Sequence, residues 1–123
     1  MDRRDAELPA QTLVNTVFGG RFTSMINTEL RIKSGLSYGA RSALVRYDKP
    51  GPAQISSFTR TEATGQAMDL ALVTLDRLHK DGISAEMRDS SKNYVLGQFP
   101  PNLETAPALA DRIAEIAFYG LGR

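Results

Sequence analysis

His79 is the only histidine in the chain, and its isolation limits what chemistry the residues can perform alone. A zinc ligand needs partners, yet the sequence has no second His, no Cys and no His-x-x-Glu-His in either direction. As a general base His79 lacks an orienting carboxylate at a readable spacing. It reads as a boundary residue in the last turn of a helix, where an imidazolium favours the negative end of the dipole. Lys33-Ser34-Gly35-Leu36-Ser37 comes nearest to a serine-nucleophile turn. It follows a helix and precedes a strand, the reverse of the order such a turn requires. Gly19-Gly20-Arg21 has part of a phosphate loop, without the preceding strand or the following Lys-Ser or Lys-Thr, so helix punctuation explains it. Asp76, Asp81, Glu86 and Asp89 offer carboxylates on solvent faces or in a turn between helices. No catalytic constellation assembles from these residues, and the chain by itself is expected to be inactive.

The bulk properties point the same way. Fifteen basic residues oppose fourteen acidic ones for a net charge of +1, and the arginines are scattered rather than striped. Such spacing does not grip a phosphate backbone, so nucleic acid is not an expected partner. The 123 residues, 41% of them hydrophobic, fit one small domain over residues 1–123. The absence of cysteine excludes disulfides, thiolate zinc sites and a cysteine nucleophile. No window approaches the ~18 apolar residues of a membrane span, and the start is charged, with no visible signal peptide. The chain reads as soluble, and both a periplasmic and a cytoplasmic setting are compatible with it.

The elements follow from apolar spacing and punctuation. One helix is expected from Leu8 to Phe18, with Pro9 in its first turn, an apolar stripe of Leu13, Val14, Val17 and Phe18, and a stop at Gly19-Gly20. A second runs from Thr23 to Lys33, capped by Thr23 or Ser24, with Phe22, Met25, Ile26 and Leu30 inward and Gly35 ending it in the left-handed conformation. Strands at Ser37–Tyr47 and Ala53–Arg60 flank Asp48-Lys49-Pro50-Gly51-Pro52, which is turn chemistry, and form a hairpin. Thr64–Lys80 is the clearest helix, with a stripe of Met68, Ala71, Leu72, Leu75 and Leu78. Ser84 caps a fourth helix that Pro100-Pro101 must end. Thr105 caps a fifth, with Leu109, Ile113 and Ile116 inward.

The expected fold is therefore α+β, a two-layer α/β sandwich fragment in which an antiparallel β-hairpin packs on about five helices. A lone two-stranded sheet is marginal and leaves both strand edges open. Either the hairpin belongs to a larger sheet supplied by other sequence, or two copies share edges as a homodimer. The first reading makes the chain a fragment.

Three stretches resemble a known family. Phe18-Gly19-Gly20-Arg21-Phe22-Thr23-Ser24 leads to Leu30-Arg31, then to Gly35-Leu36-Ser37-Tyr38-Gly39. Lys92-Asn93-Tyr94-Val95-Leu96-Gly97-Gln98-Phe99-Pro100 with Leu103-Glu104-Thr105, and Tyr119-Gly120-Leu121-Gly122, follow in the same order. Together they are similar to the pitrilysin, insulysin and mitochondrial processing peptidase family, the inverzincin zinc metallopeptidases. Two similar α/β halves enclose a cleft in that family, as one polypeptide or as two subunits. One half binds zinc through His-x-x-Glu-His; the other contributes an Arg and a Tyr seven residues apart.

Arg31 and Tyr38 have that spacing. The resemblance implies that this chain is the C-terminal portion of the non-zinc half, that it binds no metal, and that zinc sits in a homologous partner half or subunit. It implies peptide substrates and a role for Arg31 and Tyr38 in substrate binding and transition-state stabilisation. Helical geometry allows this, since Arg31 lies about 100° around from Leu30 on a polar face with Asn27 and Thr28. Gly35 then permits the reversal that returns Tyr38 towards the helix end. Taken alone, the two residues also fit a solvated helix position and a half-buried strand position. Asn93 and Tyr94 read as packing and helix-surface residues. The family also includes core proteins of respiratory complexes that keep the fold without full peptidase activity, so a non-catalytic scaffold or subunit-interaction domain is the alternative.

Overall fold

The computed structural model describes residues 5–47 and 50–121. Helix α1 (Leu8–Asn15) has Pro9 in its first turn and continues directly into a π-helical turn, Thr16–Gly20. The two glycines lie inside that turn. Gly19 serves more than a stop, because a Cβ there would collide with the backbone nitrogen and side chain of Ser42. Its missing side chain lets the helix lie directly on the first strand. Asn15 secures the contact, accepting from Ser42 Oγ at 2.7 Å and donating to the Ser42 carbonyl at 3.3 Å.

Helix α2 (Met25–Asn27) also relaxes into a π-helical stretch, Thr28–Lys33, and the chain reverses through Gly35 at φ +63°. Ser24 occupies the N-cap position, but its hydroxyl makes no capping bond. Met25, Ile26 and Leu30 are buried as their spacing predicts, and with Val17, Phe18, Ala40, Ala67 and Ala71 they form the core. Phe22 is different. It precedes the helix, and its ring is 60% exposed rather than buried.

Strands β1 (Ser37–Arg46) and β2 (Pro50–Thr59) pair antiparallel, with Arg41 opposite Ser56, Ala43 opposite Gln54 and Arg46 opposite Pro50. The connection is shorter than the sequence suggested. Pro50, Gly51 and Pro52 belong to β2, while Asp48 and Lys49 lie outside the described residues. Prolines are admissible here because, among the described residues, the sheet has two strands and each is an edge. Ala40, Ser42 and Leu44 turn towards the helices, whereas Arg41, Ala43, Gln54 and Phe58 face away and are exposed.

A 3₁₀ turn (Thr61–Ala63) leads into α3 (Thr64–Asp81), which stops at Gly82 with φ +69°. The apolar stripe read from the sequence is buried only at Ala71 and the partly covered Leu78. Ala67, Ala71 and Thr74 are buried, Leu70 and Leu78 pack at the core margin, and Met68, Leu72 and Leu75 are exposed. Small side chains allow the closest approach to α2, so α3 rotates them inward and leaves its larger side chains on a flank.

Helix α4 (Ala85–Gln98) begins with Ser84 Oγ accepting from the Met87 N–H at 3.2 Å and ends before Pro100-Pro101. It packs on α1 and the turn that follows it, burying Ser91. After a 3₁₀ turn (Pro101–Leu103), Thr105 Oγ1 accepts from the Ala108 N–H at 3.3 Å to start α5 (Ala106–Tyr119). Leu109, Ile113 and Ile116, expected to face inward, are exposed; no residue of α5 is buried. Its main contact is the short turn before it, which offers no surface wide enough to cover that face. The architecture is α+β, a hairpin with helices on one face, as the sequence indicated. No helix among the described residues is long and apolar enough to cross a membrane.

Candidate functional site

Arg31 and Tyr38 line one groove of about 590 Å³, formed between the π-helical part of α2, the Gly19-Gly20 turn, the outer face of the hairpin and α4. Irregular backbone brings them there. Arg31 sits within the π-helical stretch Thr28–Lys33, and such turns often re-aim side chains at functional sites. Its guanidinium carbon lies 4.8 Å from the centroid of the Phe22 ring. Cation–π attraction holds the charge over an exposed aromatic face instead of leaving it free to wander.

Tyr38 is aimed by a defect in the ladder. The register shifts between Ser37 and Ala40, a β-bulge that turns Tyr38 fully outward, 94% exposed. Hydroxyls fasten the bulge. Ser37 Oγ donates to the Gly39 carbonyl at 2.7 Å and accepts from the Gly39 N–H at 3.0 Å. Ser57 Oγ lies 2.7 Å from Ser37 Oγ, and Thr59 Oγ1 donates to the Leu36 carbonyl at 2.6 Å.

Asn27 joins the two halves of this arrangement. It is only 4% exposed, and its amide bridges the loop before α2 to the strand after it. Nδ2 donates to the Phe22 carbonyl at 2.7 Å, and Oδ1 accepts from the Ala40 N–H at 3.0 Å. Sequence reasoning placed Asn27 beside Arg31 on a polar face but gave it no task. A buried amide between Ile26 and Leu30 could have signalled one, because buried polar groups are hydrogen-bonded. Tyr94 of α4, read as a surface residue, borders the same groove, as do Arg41 and Phe58.

The other sequence candidates lie elsewhere. His79 is exposed near the end of α3, beside Leu75, Leu78 and Ile83. Asp76 pairs with Lys80 at 2.6 Å and Asp89 with Arg88 at 2.9 Å. Glu29 faces away from the groove and accepts from Lys33 and Arg77 at 2.9 Å each. Its carboxyl is held below the usual range, chiefly by the Lys33 hydrogen bond and then by Arg77. Among the described residues, no group of three His, Cys, Asp or Glu is placed to hold a metal ion. The described residues do not assemble a zinc site.

Residues 2–95 match the family described as the peptidase M16 inactive domain. The chain belongs to that family. It is a non-catalytic domain of zinc-protease-like proteins, in agreement with the pitrilysin-like resemblance of its motifs. Over 100 residues, 81% of the chain, it is 27% identical to the uncharacterized zinc protease YmxG of Bacillus subtilis (strain 168), covering 24% of that protein. The crystal structure of a peptidase M16 inactive domain from Pseudomonas fluorescens superposes over 99% of the chain with a TM-score of 0.90 at 26% identity, covering 29% of that structure. A conserved protein from Enterococcus faecalis V583 shares the fold at a TM-score of 0.77 and 21% identity over 93% of the chain. The M16 inactive domain described here thus spans about a quarter of the length of the proteins it matches.

Proposed function

We propose that residues 1–123 are one domain, the C-terminal portion of the non-zinc half of a metalloendopeptidase, and that its groove forms the wall closing over bound peptide. A separate half carrying His-x-x-Glu-His would supply zinc, which polarises a peptide carbonyl and activates water. The observation that carries this reading is that Arg31 and Tyr38, seven residues apart, border one groove in a domain of the M16 inactive family. YmxG, named a zinc protease, adds support.

Each side chain has a definite task in this reading. The Tyr38 phenol donates a hydrogen bond to the substrate carbonyl oxygen as negative charge develops on it. Arg31, with several donors in a rigid fork, holds a neighbouring carbonyl or a terminal carboxylate and fixes the register of the peptide. Phe22 and Asn27 keep both groups in place. The chamber excludes water once the halves meet, which strengthens every one of these bonds.

Kinetics of the full protein assembled with its zinc half test the assignment. Tyr38→Phe lowers kcat about 10²-fold, the scale of one lost oxyanion donor. Arg31→Ala raises KM, and Arg31→Lys does not fully restore it, because a point charge cannot replace the fork. Unchanged constants in all three variants would dismiss the site and favour the scaffold reading.

A further inference from the structure

The groove holding Arg31 shares Tyr38 and Phe58 with a second one of about 580 Å³ that reaches Arg60. Four arginines, Arg21, Arg31, Arg41 and Arg60, line these two adjoining grooves. No Asp or Glu lines either groove, although acidic and basic residues are nearly equal in number across the chain. The acidic residues with partners are engaged elsewhere: Glu29 with Lys33 and Arg77, Asp76 with Lys80, Asp89 with Arg88, Glu115 with Arg112. Arg41 donates through Nε to Ser56 Oγ at 3.3 Å, and Arg31 rests on Phe22. Arg21 donates to Ser90 Oγ at 2.9 Å, and among the described residues none of the four has a carboxylate partner.

Between these cations lie Tyr38 and Phe58, 94% and 84% exposed on the outer side of the hairpin. Such large rings are rarely left outward on both strands of one hairpin without something to cover. A cleft lined by one sign of charge focuses its field on an incoming group of the other sign. Guanidinium forks suit a carboxylate because two parallel N–H donors match its two oxygens.

We propose that this surface selects peptide segments bearing a carboxylate, with Tyr38 and Phe58 covering the apolar part of the same segment. The proposal rests on the reading of the chain as a peptide-binding wall and adds the class of peptide. The carboxylate belongs either to an acidic side chain or to the peptide's own C-terminus. Both satisfy the same donors.

Internally quenched peptides cleaved by the full protein with its zinc half separate the cases. Peptides carrying Glu or Gln at each position flanking the cleaved bond are compared, each with a free and an amidated C-terminus. The carboxylate form is expected to have a kcat/KM about tenfold higher, the scale of one charge-assisted hydrogen bond. Added salt narrows that ratio, and Arg41→Gln with Arg60→Gln brings it near one. A preference that follows amidation assigns the terminal carboxylate; one that follows Glu assigns the side chain. Equal rates for all four forms, while Tyr38→Phe still impairs turnover, overturn the selectivity and leave the wall intact. Equal rates with Tyr38→Phe also silent overturn both.

Discussion

The Arg31 guanidinium stands over the ring of Phe22, 4.8 Å from its centroid, and both groups are exposed. The ring therefore acts on the position of a charge more than on the stability of the core. On the proposed peptidase reading, Phe22→Leu should raise KM of the protein assembled with its zinc half about two- to fivefold, the equivalent of a surface cation–π contact. Phe22→Trp should keep the wild-type value. Thermal unfolding of both variants should match the parent, so that a large drop in melting temperature would refute the assignment.

Asn27 gives the opposite pattern. Replacing it with Leu leaves the buried Ala40 N–H without its acceptor, which costs about 1–3 kcal/mol, and removes the donor to the part-buried Phe22 carbonyl. Denaturant unfolding should register that loss directly. Asn27→Asp keeps an acceptor for Ala40 but has no donor for the Phe22 carbonyl, so it should also destabilise. A variant as stable as the parent would show that the bridge carries no weight.

The glycines at 19 and 35 separate packing from backbone strain. Gly19→Ala drives a methyl into Ser42 and should cost about 1–3 kcal/mol, because the β1 backbone cannot move aside. Gly35 has open space around it but a φ of +63°, so Gly35→Ala should cost about 1 kcal/mol from strain alone. Gly35→Asn should cost less than Gly35→Ala, since Asn tolerates that conformation, and no such rescue should appear at position 19. Equilibrium unfolding of the four variants provides the comparison.

Glu29 makes stability depend on pH. Its folded pKa is depressed below the ordinary 4.5, so the stabilisation is present above that value and is lost as pH falls through the lower folded value. Lys33 and Arg77 are well exposed, which limits the effect to no more than about 1 kcal/mol. Glu29→Gln should therefore lower the melting temperature at pH 7, and the gap to the parent should close under acid. A gap that persists at low pH would point to packing instead of charge.

Much of this was legible in the residues, for physical reasons that also explain the failures. Pro9, Ser84, Thr105 and Gly120 fix helix ends through local chemistry, and all four sit where their types demand. Apolar spacing identified α3 as a helix and put Ala71 and Leu78 inward, but also turned the exposed Met68, Leu72 and Leu75 to that face. Periodicity reports where large side chains recur, whereas Ala67, Ala71 and Thr74 win the inner face because they are small. The same limit applies to Leu109, Ile113 and Ile116 of α5, whose pattern is sound but whose partner surface is not among the described residues. At the groove, Arg31 and Tyr38 were singled out by the resemblance of their motifs to the pitrilysin-type family, not by the residues alone. Neither the bulge between Ser37 and Ala40 nor the stacking of Phe22 leaves a one-dimensional trace, since each depends on where the opposite element passes.

Six residues separate Arg31 from Tyr38, among them the reversal at Gly35, and Tyr38 itself lies in a bulge fastened by Ser37, Ser57 and Thr59. So short and so tied a connection acts as a stiff hinge plate: the two side chains are presented together. On the reading proposed above, a chamber closing against this wall would deliver both at one stroke. Ligand capture and bond cleavage would then switch on together.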